Sequence, residues 1–152
     1  MDKCRHVPVA DMIPLLCETV RRGGQAEMTV TGRSMLPLLK DRMSSVRLTR
    51  PEALKKGDIV LFRRRDGHYV LHRIVAVHDG LYDILGDAQR ETDRDVPERD
   101  ILARVVAYNR TGRRWRESDA LYRALLPAIR TARTYARRLR RKLKRTFGNR
   151  SA

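Results

Sequence analysis

Ser34 lies in TGRSMLPLL (31–39), two residues after a glycine and three before a proline. A serine hydroxyl attacks a carbonyl only when a base takes its proton and fixed donors hold the oxyanion that forms. The base has to come from elsewhere in the chain, and few residues can supply it. His6 is close to the start, while His68, His72 and His78 share the run HYVLHRIVAVH (68–78). Imidazole titrates near neutrality, so a neutral histidine can accept the proton. If the run is one strand, its side-chain period of two puts all three histidines on one side, and only one can stand opposite a given serine. Carboxylates that could orient the ring follow at Asp87, Asp93 and Asp95 in GDAQRETDRDVPERD (86–100). Taken singly, each residue is ordinary: most turn serines are hydrogen-bonding hydroxyls, and Pro37 could simply end a strand. Cys4 and Cys17 have no metal-ligand spacing and read as free thiols.

The elements that must position these residues are legible from periodicity. Val9, Met12, Ile13, Leu16 and Val20 repeat at helical spacing, so residues 7–22 read as a short helix stopped by Gly23-Gly24, with Pro14 pointing to a later start. The period then shortens to two. EMTVT (27–31), SVRLT (45–49), DIVLFRR (58–64), HYVLHRIVAVH (68–78), LYDIL (81–85) and ILARVVAY (101–108) are expected strands, with a hairpin turn at Asp79-Gly80 and a polar loop over 86–100. Short strands with tight turns predict a mainly β chain with an antiparallel body, a short N-terminal helix and a basic C-terminal helix.

The same residues fall into an ordered set. Gly32-Arg33-Ser34-Met35-Leu36-Pro37 is followed by Gly57-Asp58-Ile59-Val60-Leu61-Phe62, then His72-Arg73-Ile74-Val75, then Gly86-Asp87 with Asp93 beyond it. Over residues 28–108 this order and spacing resemble the signal peptidase I family, in its archaeal and endoplasmic-reticulum branch. The resemblance implies a signal-peptidase-like β fold and a serine endopeptidase acting on an extended precursor or signal peptide, with small residues before the cut bond. Ser34 matches the nucleophile, His72 the general base, Asp87 the acid of the Gly-Asp box and Asp93 the second acid. Asp87 is the first choice to orient His72, Asp93 the second, and Asp95 a local competitor. Gly32, Met35 and Pro37 are expected beside the peptide, with Met35 structural or lining the groove. Gly32 also stands where the bacterial branch has an oxyanion-holding hydroxyl, so the second donor is unassigned. Gly57-Asp58 reads as a turn into a core strand, and Arg73, on the opposite side from His72, as a surface or structural pair. No metal and no cofactor is expected.

The chain departs from the family pattern, which usually includes a membrane-spanning helix: none is expected before Ser34, and the basic tail is not apolar enough to span. No apolar run here approaches the ~20 residues that a span needs, and no secretory signal is visible. The net charge is +16, of which +13 falls within residues 110–152, where fifteen Lys and Arg face Glu117 and Asp119. Leu125, Ile129, Ala132, Ala136, Leu139 and Leu143 form one helical stripe among arginines, over a helix about 30 Å long. Pro127 is expected in its first turn. Such a helix suits the surface of an anionic membrane, with Leu125, Ile129, Leu139 and Leu143 immersed and Arg133, Arg137, Arg140 and Arg141 at the head groups. The default expectation is peripheral association on the cytoplasmic face, where a membrane-protein partner could supply an anchor. Nucleic acid ranks lower as a partner, because basic charge alone gives only sequence-independent affinity, and aromatics for base stacking are scarce at 5%. The expected organisation is a helical segment at 1–24, a catalytic β domain at 25–110 and a basic helical tail at 111–152. A non-catalytic peptide-binding adaptor at the membrane is the alternative to the enzyme.

Overall fold

The computed structural model describes residues 9–112, 114–117 and 119–147, with residues 9, 10 and 142–147 described by backbone alone. Cys4 and His6 lie outside the described residues, as does the side chain of Leu143. The chain forms two compact units, residues 1–118 and 119–152.

The first unit opens with helix α1 (Val9–Arg21), which carries Pro14 inside it rather than at its start. Ile13, Cys17 and Val20, at i, i+4 and i+7, are its buried face. Burial pushes the free Cys17 thiol pKa up, so it is a packing group rather than a reactive one. Strands β1 (Ala26–Thr29), β2 (Ser45–Thr49), β3 (Ile59–Arg63), β4 (Tyr69–His78), β5 (Leu81–Leu85), β6 (Asp93–Pro97), β7 (Ile101–Asn109) and β8 (Trp115–Arg116) follow. All pairings are antiparallel, in the order β1-β2-β7-β3-β4-β5-β6, with β8 added to β7. The β4–β5 hairpin turns at Asp79 and Gly80, both at positive φ, which matches the right-handed twist of the strands.

Val60, Phe62, Ile74, Tyr82, Ile84, Val96 and Ile101 form a core cluster drawn from β3 to β7. Ile59 to Phe62 are buried on both faces of β3, as its continuous apolar run implies. Two expectations are corrected. Residues 86–100 are not all loop, because β6 pairs with β5 there, Ile84 opposite Asp93. The three histidines do not share one side: His68 precedes β4, and a register shift between Ile74 and Ala76 separates His78 from His72.

The second unit is helix α2 (Ala120–Phe147), 28 residues and about 42 Å long. Pro127 sits within it rather than in its first turn, since the helix starts at Ala120. Leu125, Leu139, Arg137, Arg140 and Arg141 are exposed, and Ile129 and Arg133 half-buried. Among the described residues no helix is long and apolar enough to cross a membrane.

Candidate active site

Ser34 stands in a turn within a loop that closes on itself. The Val30 N–H donates to the Ser44 carbonyl at 2.8 Å, and the Arg42 N–H returns to the Val30 carbonyl at 2.8 Å. The buried Ser44 hydroxyl accepts from the Lys40 N–H at 2.8 Å and donates to the Arg110 carbonyl at 3.1 Å. Val30, Met35, Leu38 and Leu39 are buried beneath the loop. The apolar members of TGRSMLPLL are therefore anchors that hold Ser34, itself half-buried, in place.

Of the two roles expected for Met35, the structural one fits its burial: it is 2% exposed and packs in the core. Gly32 is at φ 89°, a left-handed conformation that favours glycine, and its N–H donates to Asp41 Oδ1 at 2.8 Å. The Pro37 carbonyl accepts from Arg110 Nη2 at 3.1 Å.

The turn after β5 packs against Ser34. The Ala88 N–H donates to the Ser34 carbonyl at 2.7 Å. Gly86 lies between Ser34 and His72: a β-carbon on it would be 2.9 Å from the Ser34 carbonyl oxygen and 3.0 Å from His72 Nε2. Glycine is needed here because of close approach and not because of φ. Segments centred on residues 34, 72 and 86 thus meet at one point, with the Nε2 edge of His72 facing it.

His72 is fully buried, on the same face of β4 as Ile74 and with its ring centroid 6.1 Å from that of Phe62. Its Nδ1 is 3.7 Å from Asp93 Oδ2, within Coulombic range but too long for a hydrogen bond. Among the described residues, neither ring nitrogen has a hydrogen-bond partner. Burial, then the nearby Arg64 cation, push the His72 pKa down to about 4, against the opposing pull of Asp93 and Asp87. The ring is therefore neutral at pH 7, with an unengaged Nε2.

Asp87, the first choice to orient His72, is instead taken by Arg73. Arg73 Nε reaches Asp87 Oδ1 at 2.9 Å and Nη2 reaches Oδ2 at 3.0 Å, a two-pronged pair, while Nη1 donates to the Gly57 carbonyl at 2.8 Å. Both side chains are buried, so Arg73 is a structural pair and not a surface one. Asp95 lies near His78, at 3.7 Å, and His78 Nε2 is also 3.2 Å from Asp83 Oδ1. Of the three candidate carboxylates, Asp93 is the one that lies beside His72 Nδ1. Sequence reasoning missed Arg64, whose Nη2 is 2.7 Å from Asp93 Oδ2. Its only signal was its place in the run Arg63-Arg64-Arg65 after an apolar strand.

No protein-family model matches the chain, and no curated protein matches it.

Proposed function

We propose that the β unit is a signal-peptidase-like serine endopeptidase acting on an extended precursor or signal peptide, with Ser34 as nucleophile, His72 as base and Asp93 as its supporting carboxylate. The observation that carries this is the orientation of His72: Nδ1 is directed to Asp93 and Nε2 to the Ser34 segment across Gly86. In the proposed reaction the Ser34 Oγ proton passes to Nε2 as Oγ bonds to the scissile carbonyl carbon. The proton is then given to the departing amine as the C–N bond breaks. Water repeats the sequence on the acyl-enzyme. Asp93, 3.7 Å from Nδ1 before reaction, closes on the Nδ1 proton as the ring becomes charged and stabilises the imidazolium. Desolvation leaves His72 neutral and ready to accept. Arg73 and Asp87 brace the turn that carries Gly86.

The exposed arginines and leucines of α2 suit a peripheral contact with an anionic membrane, where precursor peptides would be met. The test is a diverse peptide mixture read by mass spectrometry with anionic vesicles present. Cuts made by the wild type and lost in Ser34→Ala and His72→Ala support the enzyme. Cuts that persist in Ser34→Ala exclude it. The unengaged Nε2 of His72 favours a second reading, a peptide-binding adaptor. It predicts peptide retention without cleavage in all three proteins.

A further inference from the structure

We propose that Arg64 is a positioning residue for His72: its guanidinium holds the Asp93 carboxylate in front of Nδ1 and, by competing for the same oxygen, keeps that carboxylate from closing on the ring until the site is engaged. The consequence for catalysis rests on the peptidase reading; the geometry does not.

Asp93 Oδ2 is 2.7 Å from Arg64 Nη2 and 3.7 Å from His72 Nδ1. One oxygen thus faces two nitrogens. The bond to Arg64 has the length of a charge-assisted hydrogen bond, and the approach to His72 is too long for one. The Arg64 backbone is fixed by the turn between β3 and β4, where its N–H donates to the His68 carbonyl at 2.8 Å and its carbonyl accepts from the Gly67 N–H at 2.9 Å. Only the side chain crosses to β6. Arg64 and Asp93 also line an open cleft of about 450 Å³, with Phe62, Thr92 and Arg94 among its walls. The guanidinium therefore has room to swing out while Asp93 stays in register opposite Ile84. The charged groups acting on His72 are Arg64 from the end of β3, Asp93 from β6 and Asp87 from the turn after β5, and Arg64 is the cation of the three.

Loss of Arg64 removes a positive charge beside the ring and releases Asp93 toward Nδ1. Both effects make His72 easier to protonate. Loss of Asp93 does the reverse. This pair of opposite signs separates positioning from mere support of the fold, because a loosened fold would expose the ring and raise its midpoint in either variant.

The experiment is an NMR titration of the histidine rings in the full chain, with His72→Gln used for assignment. Wild type, Arg64→Gln, Arg64→Lys and Asp93→Asn are compared. The expected result is a His72 midpoint raised by about one unit or more in Arg64→Gln, lowered in Asp93→Asn, and near the wild-type value in Arg64→Lys. An unmoved midpoint in Arg64→Gln, or shifts of the same sign in Arg64→Gln and Asp93→Asn, overturns the proposal. If Arg64→Gln does not fold, Arg64→Lys and Asp93→Asn decide it: a raised midpoint in either overturns the proposal. Peptide cleavage is followed against pH in the same proteins. Midpoints that move as expected without cleavage in any protein would leave Arg64 as the positioning residue and remove the peptidase. Cleavage with unmoved midpoints would do the opposite.

Discussion

His72 couples the site to the stability of the molecule. Its pKa falls from 6.5 to about 4 on folding, so between these values the unfolded chain binds a proton that the folded chain refuses. Stability therefore rises with pH across that window and is lost as acid is added, by on the order of 3 kcal/mol once both states are protonated. Urea denaturation of His72→Gln between pH 7 and pH 4 should show a shallower loss than wild type, and parallel curves would contradict the burial argument. Gly86 is a second residue-scale test. A methyl there meets the Ser34 carbonyl and the His72 ring at about 3 Å, so Gly86→Ala should cost roughly 1–3 kcal/mol of unfolding free energy in urea denaturation and impair cleavage more than its stability loss explains. At this scale the sequence made Ser34 and His72 visible as candidates. It could not choose among Asp87, Asp93 and Asp95, since each carboxylate lies beside a different basic side chain in space: Arg73, Arg64 and His78.

Between elements, the site depends on the strand and the turn that flank His72. Arg73, the neighbour of His72 on β4, ties that strand to the turn carrying Gly86 and Asp87 through a buried ion pair. Removing one partner strands a charge, so Arg73→Met should destabilise by roughly 3–5 kcal/mol, whereas Arg73→Met with Asp87→Leu should recover much of that. Thermal melts of the two proteins check this, and equal losses would contradict it. The expected β2 and β5 agree with the observed elements at both ends, and β3, β4 and β7 within one residue, because apolar side chains recur at their inward positions. β6 was missed because DRDVP offers one buried apolar side chain, Val96, and is held by pairing with β5 rather than by its own pattern. The register shifts in β4–β5 and β5–β6 were also illegible, since a one-residue offset leaves no compositional trace. The shift after Ile74 parts His78 from His72.

At the scale of the whole molecule, most of the basic charge and the candidate site fall in different units. The net charge of +13 over residues 110–152 lies mostly on α2, while Ser34, His72 and Asp93 all belong to the first unit. Flotation with anionic vesicles should retain the full chain, fall as salt is raised, and be weakened in Arg137→Glu with Arg140→Glu and Arg141→Glu, each charge contributing about 1 kcal/mol near the surface. Equal retention on neutral vesicles would instead point to the leucines alone. The most direct test of the central claim is the rate at which one cleaved peptide is cut, measured from pH 3 to pH 8 in wild type, Ser34→Ala and His72→Ala. The account predicts a loss of about 10⁴-fold or more in both variants at pH 7, and a wild-type rate that falls only as His72 is protonated, near pH 4. A Ser34→Ala protein that cuts at the wild-type rate would contradict it.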